Sequence, residues 1–442
     1  MLRHRLKQLW DAVRTSFWFL PTVIIVACTA AAILLIRVDT TANDRWLASW
    51  PRLFGASADG ARSMLSTIAG SIMSAVGVTF SMTLVAITLA SSQYTPRILR
   101  NFVRSRQTQV VLGFFTGIFA YCIVVLRTIR GTDAGTFVPS LAVFGSMVLA
   151  LVGSILLVLF IHHVATSIQA SQIISSVADE TLETIDRLFP QDVGDPRDDQ
   201  VVDEGPGPWR VILSTQSGYV QSVDGDALVG LAGVNDIVVR MERAVGDFVI
   251  ESEVLASVRG SRALGAAAVD QVRDAFTISR IRTVEQDPGF GVRQLVDIAL
   301  KALSPGINDT TTAVICVNYL SVILSRLAVR HIPSAYRYED GMLRVVTRGV
   351  TFAGLVDEAN AQIRACAGGN VAVLARMVDG LGTLEQLSVD PARRVVLLEQ
   401  LEWIGERIAS IESAHERARI TSQLEALRAR LHVARHDHAL AV

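Results

Sequence analysis

Five polar residues crowd the segment EQDPGFGVRQLVDIALKALSPGINDTTTAV: Asp287, Arg293, Asn308, Asp309 and Thr310. A carboxylate, a guanidinium, an amide and a hydroxyl beside a helix N-terminus with free N–H groups are the chemistry of anion or phosphate capture. The same residues also serve as caps and turn formers. Asp-Pro-Gly and Ser304-Pro305-Gly306 are turn sequences, and Asp309 and Thr310 are natural N-caps. Two tight turns flanking a helix from about Gly291 to Leu303 are expected to bring the five residues within reach of one another. A second helix is expected to start at Asp309 or Thr310.

A second constellation lies upstream, in an apolar run from Thr67 to Ala90. On an ideal helix at about 100° per residue, Gly70, Ser74, Gly77, Ser81, Thr88 and Ser92 fall within a sector roughly 60° wide. Ile72, Val76 and Ala86 sit on the opposite side together with Thr79 and Thr83, so the contrast between faces is partial. Small residues let helices approach closely, which is the packing reading. Repeated about an axis, the same stripe would line a pore with hydroxyls and backbone carbonyls. After Pro96 come Arg97, Arg100, Arg104 and Arg106, interleaved with Ile98, Leu99, Phe102 and Val103 as in an amphipathic helix at headgroup level. They fit topology and attraction to anionic lipid, or an arginine ring at a pore mouth that would favour anions.

Catalytic patterns are missing from the string. It holds no GxxxxGK[ST], no GxGxxG after a strand, no GxSxG and no HExxH. The four cysteines stand apart, without metal or disulfide spacing. No enzyme chemistry, cofactor or metal site is therefore expected, and a net charge of −1 excludes a strongly basic nucleic-acid binder.

The elements that position these groups follow from hydropathy. Half of the chain's residues are hydrophobic, and four apolar runs fall in the first 165 residues: Phe17 to Ile36, Thr67 to Ala90, Val110 to Leu126 and Leu141 to Ile161. Each approaches the roughly 20 residues that span a bilayer core as helix. The first run is too long for a cleaved signal core. Arg3, Arg5, Lys7 and Arg14, and the arginines of the loop after the second run, put both termini in the cytoplasm. Gly113 and Gly117 in the third run, and Ser146, Ala150 and Gly153 in the fourth, are expected to pack those two spans together. This leaves the stripe of the second free for a pore or a subunit contact.

Residues 166–208 are expected to extend the fourth span as a helix and then form an acidic linker. Residues 209–260 alternate as strands, two of them about Ser217-Gly218. They have the pattern of a small β-barrel or sandwich-like, lipoyl-type module, without the lysine a carrier needs. Residues 261–335 read as helical around the SPGIND motif, and residues 336–442 as mostly helical after a strand pair about Asp340-Gly341. Leu397, Leu398, Leu401, Ile404 and Ile408, then Ile420, Leu424, Leu427 and Leu431, recur at helical spacing and suit core packing or a subunit contact.

Two segments carry a family likeness: FSMTLVAITLASSQYTPRILRNFVRSRQTQVVLGFFTGIFAYCIVVLRTIR and LVDIALKALSPGINDTTTAV. They resemble the bacterial predicted integral membrane proteins catalogued as domain of unknown function 2254, and the likeness covers essentially the whole chain. The resemblance implies membrane location and carries over no functional residue. Where family versions often read SPGINDPTTA this chain has Thr310, a mild change at the first helical position that leaves Asp309 as the cap. The expected protein has an α-helical membrane domain of four transmembrane helices at residues 1–165. A cytoplasmic α+β domain follows, holding the small β module and a helical bundle. It lies in the bacterial inner membrane among lipid, as a homo-oligomer, and binds no nucleic acid. Its expected function is a channel or pore for ions or small solutes. The alternative is a membrane-anchored sensor or scaffold that binds a small anionic ligand or a partner protein.

Overall fold

The structure, a computed structural model, describes residues 18–41, 57–93, 106–132, 135–167, 169–189, 207–261, 264–388 and 390–439. The chain divides into two units, Met1–Gln172 and Ile173–Val442.

Among its described residues the N-terminal unit has four helices: α1 (Phe19–Thr41), α2 (Ala58–Gln93), α3 (Arg106–Thr128) and α4 (Ser140–Ser167). A short antiparallel hairpin, β1 (Arg130–Thr132) with β2 (Gly135–Phe137), joins α3 to α4. All four helices are long and apolar enough to cross a membrane. At 1.5 Å per residue α2 extends over roughly 54 Å, well beyond a ~30 Å hydrocarbon core. α3 is the hub and packs on α1, α2 and α4. Its buried side includes Phe115, Ile118, Tyr121 and Val125.

Close approach at glycine sets this packing. A methyl built on Gly113 would stand 2.7 Å from Pro21 Cα, and one on Gly117 2.8 Å from Cys28 Sγ. The Gly113-xxx-Gly117 pair therefore seats α1, not the fourth span as the spacing suggests. α4 meets α3 through other small residues, with Gly153 against Ile118 and Phe115 and Gly145 against Tyr121. One contact escapes sequence reading altogether. Asp39, near the end of α1, accepts hydrogen bonds from Leu141 N (3.0 Å) and Ala142 N (3.1 Å), two amides in the first turn of α4. Tyr121 adds its hydroxyl to Ala142 O at 2.7 Å.

The C-terminal unit mixes sheet and helix. After α4 comes a further helix, α5 (Ala170–Leu188). Then come β3 (Arg210–Leu213), β4 (Gly218–Val223), α6 (Gly225–Asn235), β5 (Ile237–Met241), β6 (Phe248–Val249), β7 (Val254–Gly260), α7 (Ala266–Asp274) and β8 (Phe276–Ser279). Two longer helices follow, α8 (Pro288–Ala302) and α9 (Thr310–Ala328), and a hairpin of β9 (Tyr336–Glu339) with β10 (Met342–Val346). The chain closes with α10 (Phe352–Ala367), α11 (Val371–Leu387), α12 (Pro391–Ile408) and α13 (Ala414–Ala439).

The strands form two sheets, ordered β3-β7-β5-β10-β9 and β6-β4-β8, rather than a closed barrel. β3 and β4 do not pair across Ser217-Gly218 as a hairpin would. β3 registers on β7 in the larger sheet, while β4 lies between β6 and β8 in the smaller. The β9–β10 hairpin, turning at Asp340 (φ 51) and Gly341 (φ 76) as a tight two-residue loop requires, adds to β5 in parallel. Val220, Leu228, Val239, Leu255, Val272, Phe276 and Val345 share one core with the neighbouring helices.

A fifth helix, α9, also meets the length and apolarity of a membrane span. It packs on α8, α10 and α11 of the C-terminal unit. Leu397, Leu401 and Ile404 of α12, and Ile420, Leu424, Leu427 and Leu431 of α13, are buried, so both helical repeats serve packing within the chain.

Candidate functional site

On α2 the structure separates two faces. Leu65, Ala69, Ile72, Thr79 and Ala86 are buried against the neighbouring helices. Gly70, Ser74, Gly77, Ser81 and Thr88 all lie exposed on the other side. A Cβ built on Gly70 or Gly77 would meet nothing within 4 Å. The stripe therefore takes no part in packing the described chain. Ser92 falls in the last turn of α2, where the backbone alone is described, and Arg97, Arg100 and Arg104 lie outside the described residues. Arg106 is the exposed first residue of α3.

Two hydroxyls of the stripe turn back on their own helix. Ser74 Oγ donates to Gly70 O at 3.1 Å and Thr88 Oγ1 to Val85 O at 2.8 Å; Thr67, one turn earlier, donates to Ser63 O at 2.8 Å. A hydroxyl whose proton is committed to its own helix still presents oxygen lone pairs. At Ser74 and Thr88 the surface therefore offers acceptors.

In the C-terminal unit, the five polar residues fall into separate places. Asp287 is the N-cap of α8, its Oδ1 accepting from Phe290 N at 3.0 Å and its Oδ2 from Arg282 Nε at 2.5 Å. Its side chain is only 2% exposed. Burial pushes its carboxyl up, although the Arg282 hydrogen bond and charge pull the other way. The knot is tight: at Gly246, where φ is +94°, a Cβ would overlap Asp287 and Arg282. Arg293 instead pairs with Asp297 at 3.0 Å and Glu358 at 3.1 Å.

Asp309 lies at the far end of α8, roughly 22 Å from Asp287 by the rise of a 15-residue helix. The expected gathering of all five is thus corrected, because the helix between the two turns holds them apart. Asp309 caps α9, accepting Thr312 N at 3.0 Å and Thr312 Oγ1 at 2.6 Å. These bonds, led by the Thr312 hydroxyl, hold its carboxyl below the usual range. An external anion at this helix start would have to displace that carboxylate. Asn308 supplies the left-handed residue of the turn at φ +49°. Thr310 Oγ1 accepts from Asn370 Nδ2 at 2.8 Å, and Asn370 is itself the N-cap of α11. Two helix starts are joined there by one side-chain bond.

Several contacts of this unit lie too far apart in sequence for spacing to find. Asp186 of α5 meets Arg330 at 2.5 Å and Arg326 at 3.3 Å. Arg393 donates to Ala328 O at 2.6 Å and Arg330 O at 2.9 Å, closing the C-terminus of α9. Among the described residues, no group of three or more His, Cys, Asp or Glu side chains is placed to hold a metal.

Apolar helices long enough for membrane spans, followed by a mixed α/β unit, define the class: a membrane protein with a large appended domain. The chain belongs to the family described as "Predicted membrane protein (DUF2254)", which it matches over residues 14–383. It is 34% identical over 422 residues to an uncharacterised protein of Mycobacterium tuberculosis and to one of Mycobacterium bovis, covering 93% of this chain and 80% of each relative. No solved structure matches it.

Proposed function

We propose that the protein is an oligomeric channel of the bacterial inner membrane, lined by the small-and-polar stripe of α2 and supported by the C-terminal unit. In this reading α1 to α4 are the four spans, the C-terminal unit is cytoplasmic, and both termini face the cytoplasm. The basic residues of the N-terminal tail and of the loop after α2 support that orientation. α9 is a core helix and not a fifth span. Asn318, in its middle, accepts from Arg376 of α11, and Arg326 and Arg330 at its end meet Asp186.

The observation that carries the channel is the outward aspect of the stripe. Gly70 and Gly77 are open while the opposite side of the same helix is buried. The rest of the outward membrane surface is dominated by residues such as Leu151, Ile155, Val158 and Leu159, which suit lipid. A hydroxyl-and-glycine strip among them suits water or a neighbouring copy. With the Ser74 and Thr88 protons committed to the helix, their outward oxygens favour cations and water over anions.

The test is conductance of the purified protein in planar bilayers. Current is expected to prefer cations and to fall about tenfold when Ser74→Leu or Ser81→Leu narrows the path. Silence across ionic conditions, voltages and membrane tensions would end this reading.

A further inference from the structure

The five-stranded sheet ends in two edges, β3 and β9. An edge strand carries backbone groups without a ladder partner, and another chain can pair with them unless something occupies them. On β3 a side chain already reaches one such group, Arg273 Nε donating to Leu213 O at 3.0 Å. On β9 the groups can be followed one by one. Tyr336 N donates to Ser334 Oγ at 3.2 Å. Glu339 and Met342 flank the tight Asp340-Gly341 loop, and in such hairpins the flanking pair is the hydrogen-bonded one. The next residue, Tyr338, therefore turns its N–H and C=O away from β10, toward the open side of the sheet. It is 42% exposed.

The residues beside Tyr338 carry opposite charges. Arg337 and Glu339 flank it and, by strand alternation, share one face of the sheet. Among the described residues neither has an ion pair: Arg337 Nη1 donates to Ser334 O at 2.6 Å, and Glu339 lies over the last turn of α6, where a Cβ on Gly233 would overlap it. A second β9 running antiparallel can meet the first about a two-fold axis at Arg337, Tyr338 or Glu339. Centred on Arg337, the pairing sets guanidinium against guanidinium; centred on Glu339, carboxylate against carboxylate. Centred on Tyr338, it sets Arg337 opposite Glu339 of the second copy, twice over, and each Tyr338 N–H meets the other Tyr338 carbonyl. The strand is complementary to itself in that one register, as a two-fold contact requires.

We propose that β9 is a subunit contact, pairing antiparallel with β9 of a second copy of this chain about Tyr338 and joining two five-stranded sheets into one of ten strands. The inference lies wholly within the C-terminal unit and does not depend on the protein conducting.

Disulfide trapping tests the register. Opposed residues of a hydrogen-bonded pair stand about 5.5 Å apart at Cα, within disulfide reach, whereas the two copies of Tyr336 would be separated by roughly 14 Å. Full-length protein lacking its exposed thiol (Cys366→Ser) is treated in isolated membranes with a mild oxidant. Tyr338→Cys is expected to form a covalent dimer on a non-reducing gel, about fivefold more than Tyr336→Cys. Adding Arg337→Glu should cut the Tyr338→Cys dimer about fivefold, because two pairs then oppose like charges, and adding Glu339→Arg as well should restore it. Restoration excludes unfolding as the cause of the loss. No dimer from Tyr338→Cys, equal trapping at both positions, a dimer unchanged by Arg337→Glu, or a loss that the double exchange leaves unrepaired overturns the proposal.

Discussion

Asp287 and Asp309 do the same local task with opposite electrostatics. Each caps a helix, but Asp309 is held low by the Thr312 hydroxyl and amide, whereas Asp287 is pushed up by burial. A carboxyl lowered in the fold contributes stability that is present above its unfolded value and lost as pH falls through the folded one. A carboxyl raised in the fold does the reverse, its contribution being complete at low pH and lost as pH rises through the folded value. Across about pH 3 to 6, urea denaturation should therefore show Asp309→Asn flattening an acid-labile component. Asp287→Asn should remove one of the opposite slope. At neutral pH, Asp309→Ala is expected to cost about 1 kcal/mol and Asp309→Asn a few tenths, read as thermal stability of the detergent-solubilised protein. Asp309 was legible as a cap because cap and helix are neighbours in sequence. The Glu358 partner of Arg293 and the partners of Asp186 were not, since Glu358 lies 65 residues from Arg293 and Arg330 144 from Asp186. Spacing gives no handle on such pairs.

Among elements, the four apolar runs announce their helices by length alone, but not which sides meet. Gly113 and Gly117 mark a close contact correctly and leave its partner open, because any helix with a small or narrow side can fill it. The structure gives that place to α1. Gly117→Leu is accordingly expected to destabilise the N-terminal unit by about 1 to 3 kcal/mol through overpacking. Gly77→Ala, facing open space, should leave the monomer within about 0.5 kcal/mol. Size-exclusion profiles of heated, solubilised protein separate the two. In the C-terminal unit the β9–β10 pair about Asp340-Gly341 is readable from the sequence, whereas the partners of β3 and β4 are not. β3 and β4 are adjacent in the chain yet belong to different sheets, and β8 is a four-residue strand too short to interrupt the helical pattern around it.

For the molecule as a whole, orientation is open to a direct check. Cys366 is exposed, whereas Cys122 and Cys316 are buried and Cys28 lies against α3. A membrane-impermeant maleimide should label the native protein at Cys366 in inverted vesicles and leave it unlabelled in intact spheroplasts. Labelling from outside would place the C-terminal unit on the opposite side. The proposed channel is less legible than the fold, because a lumen would be a property of several copies, and one chain would display only its share of the wall. The Asp39 clamp has a consequence for how the membrane unit is made. Its amide donors, Leu141 and Ala142, are synthesised 102 and 103 residues later. The contact between α1 and the start of α4 therefore cannot form until α4 has been made. A nascent chain halted after α3 would lack both donors.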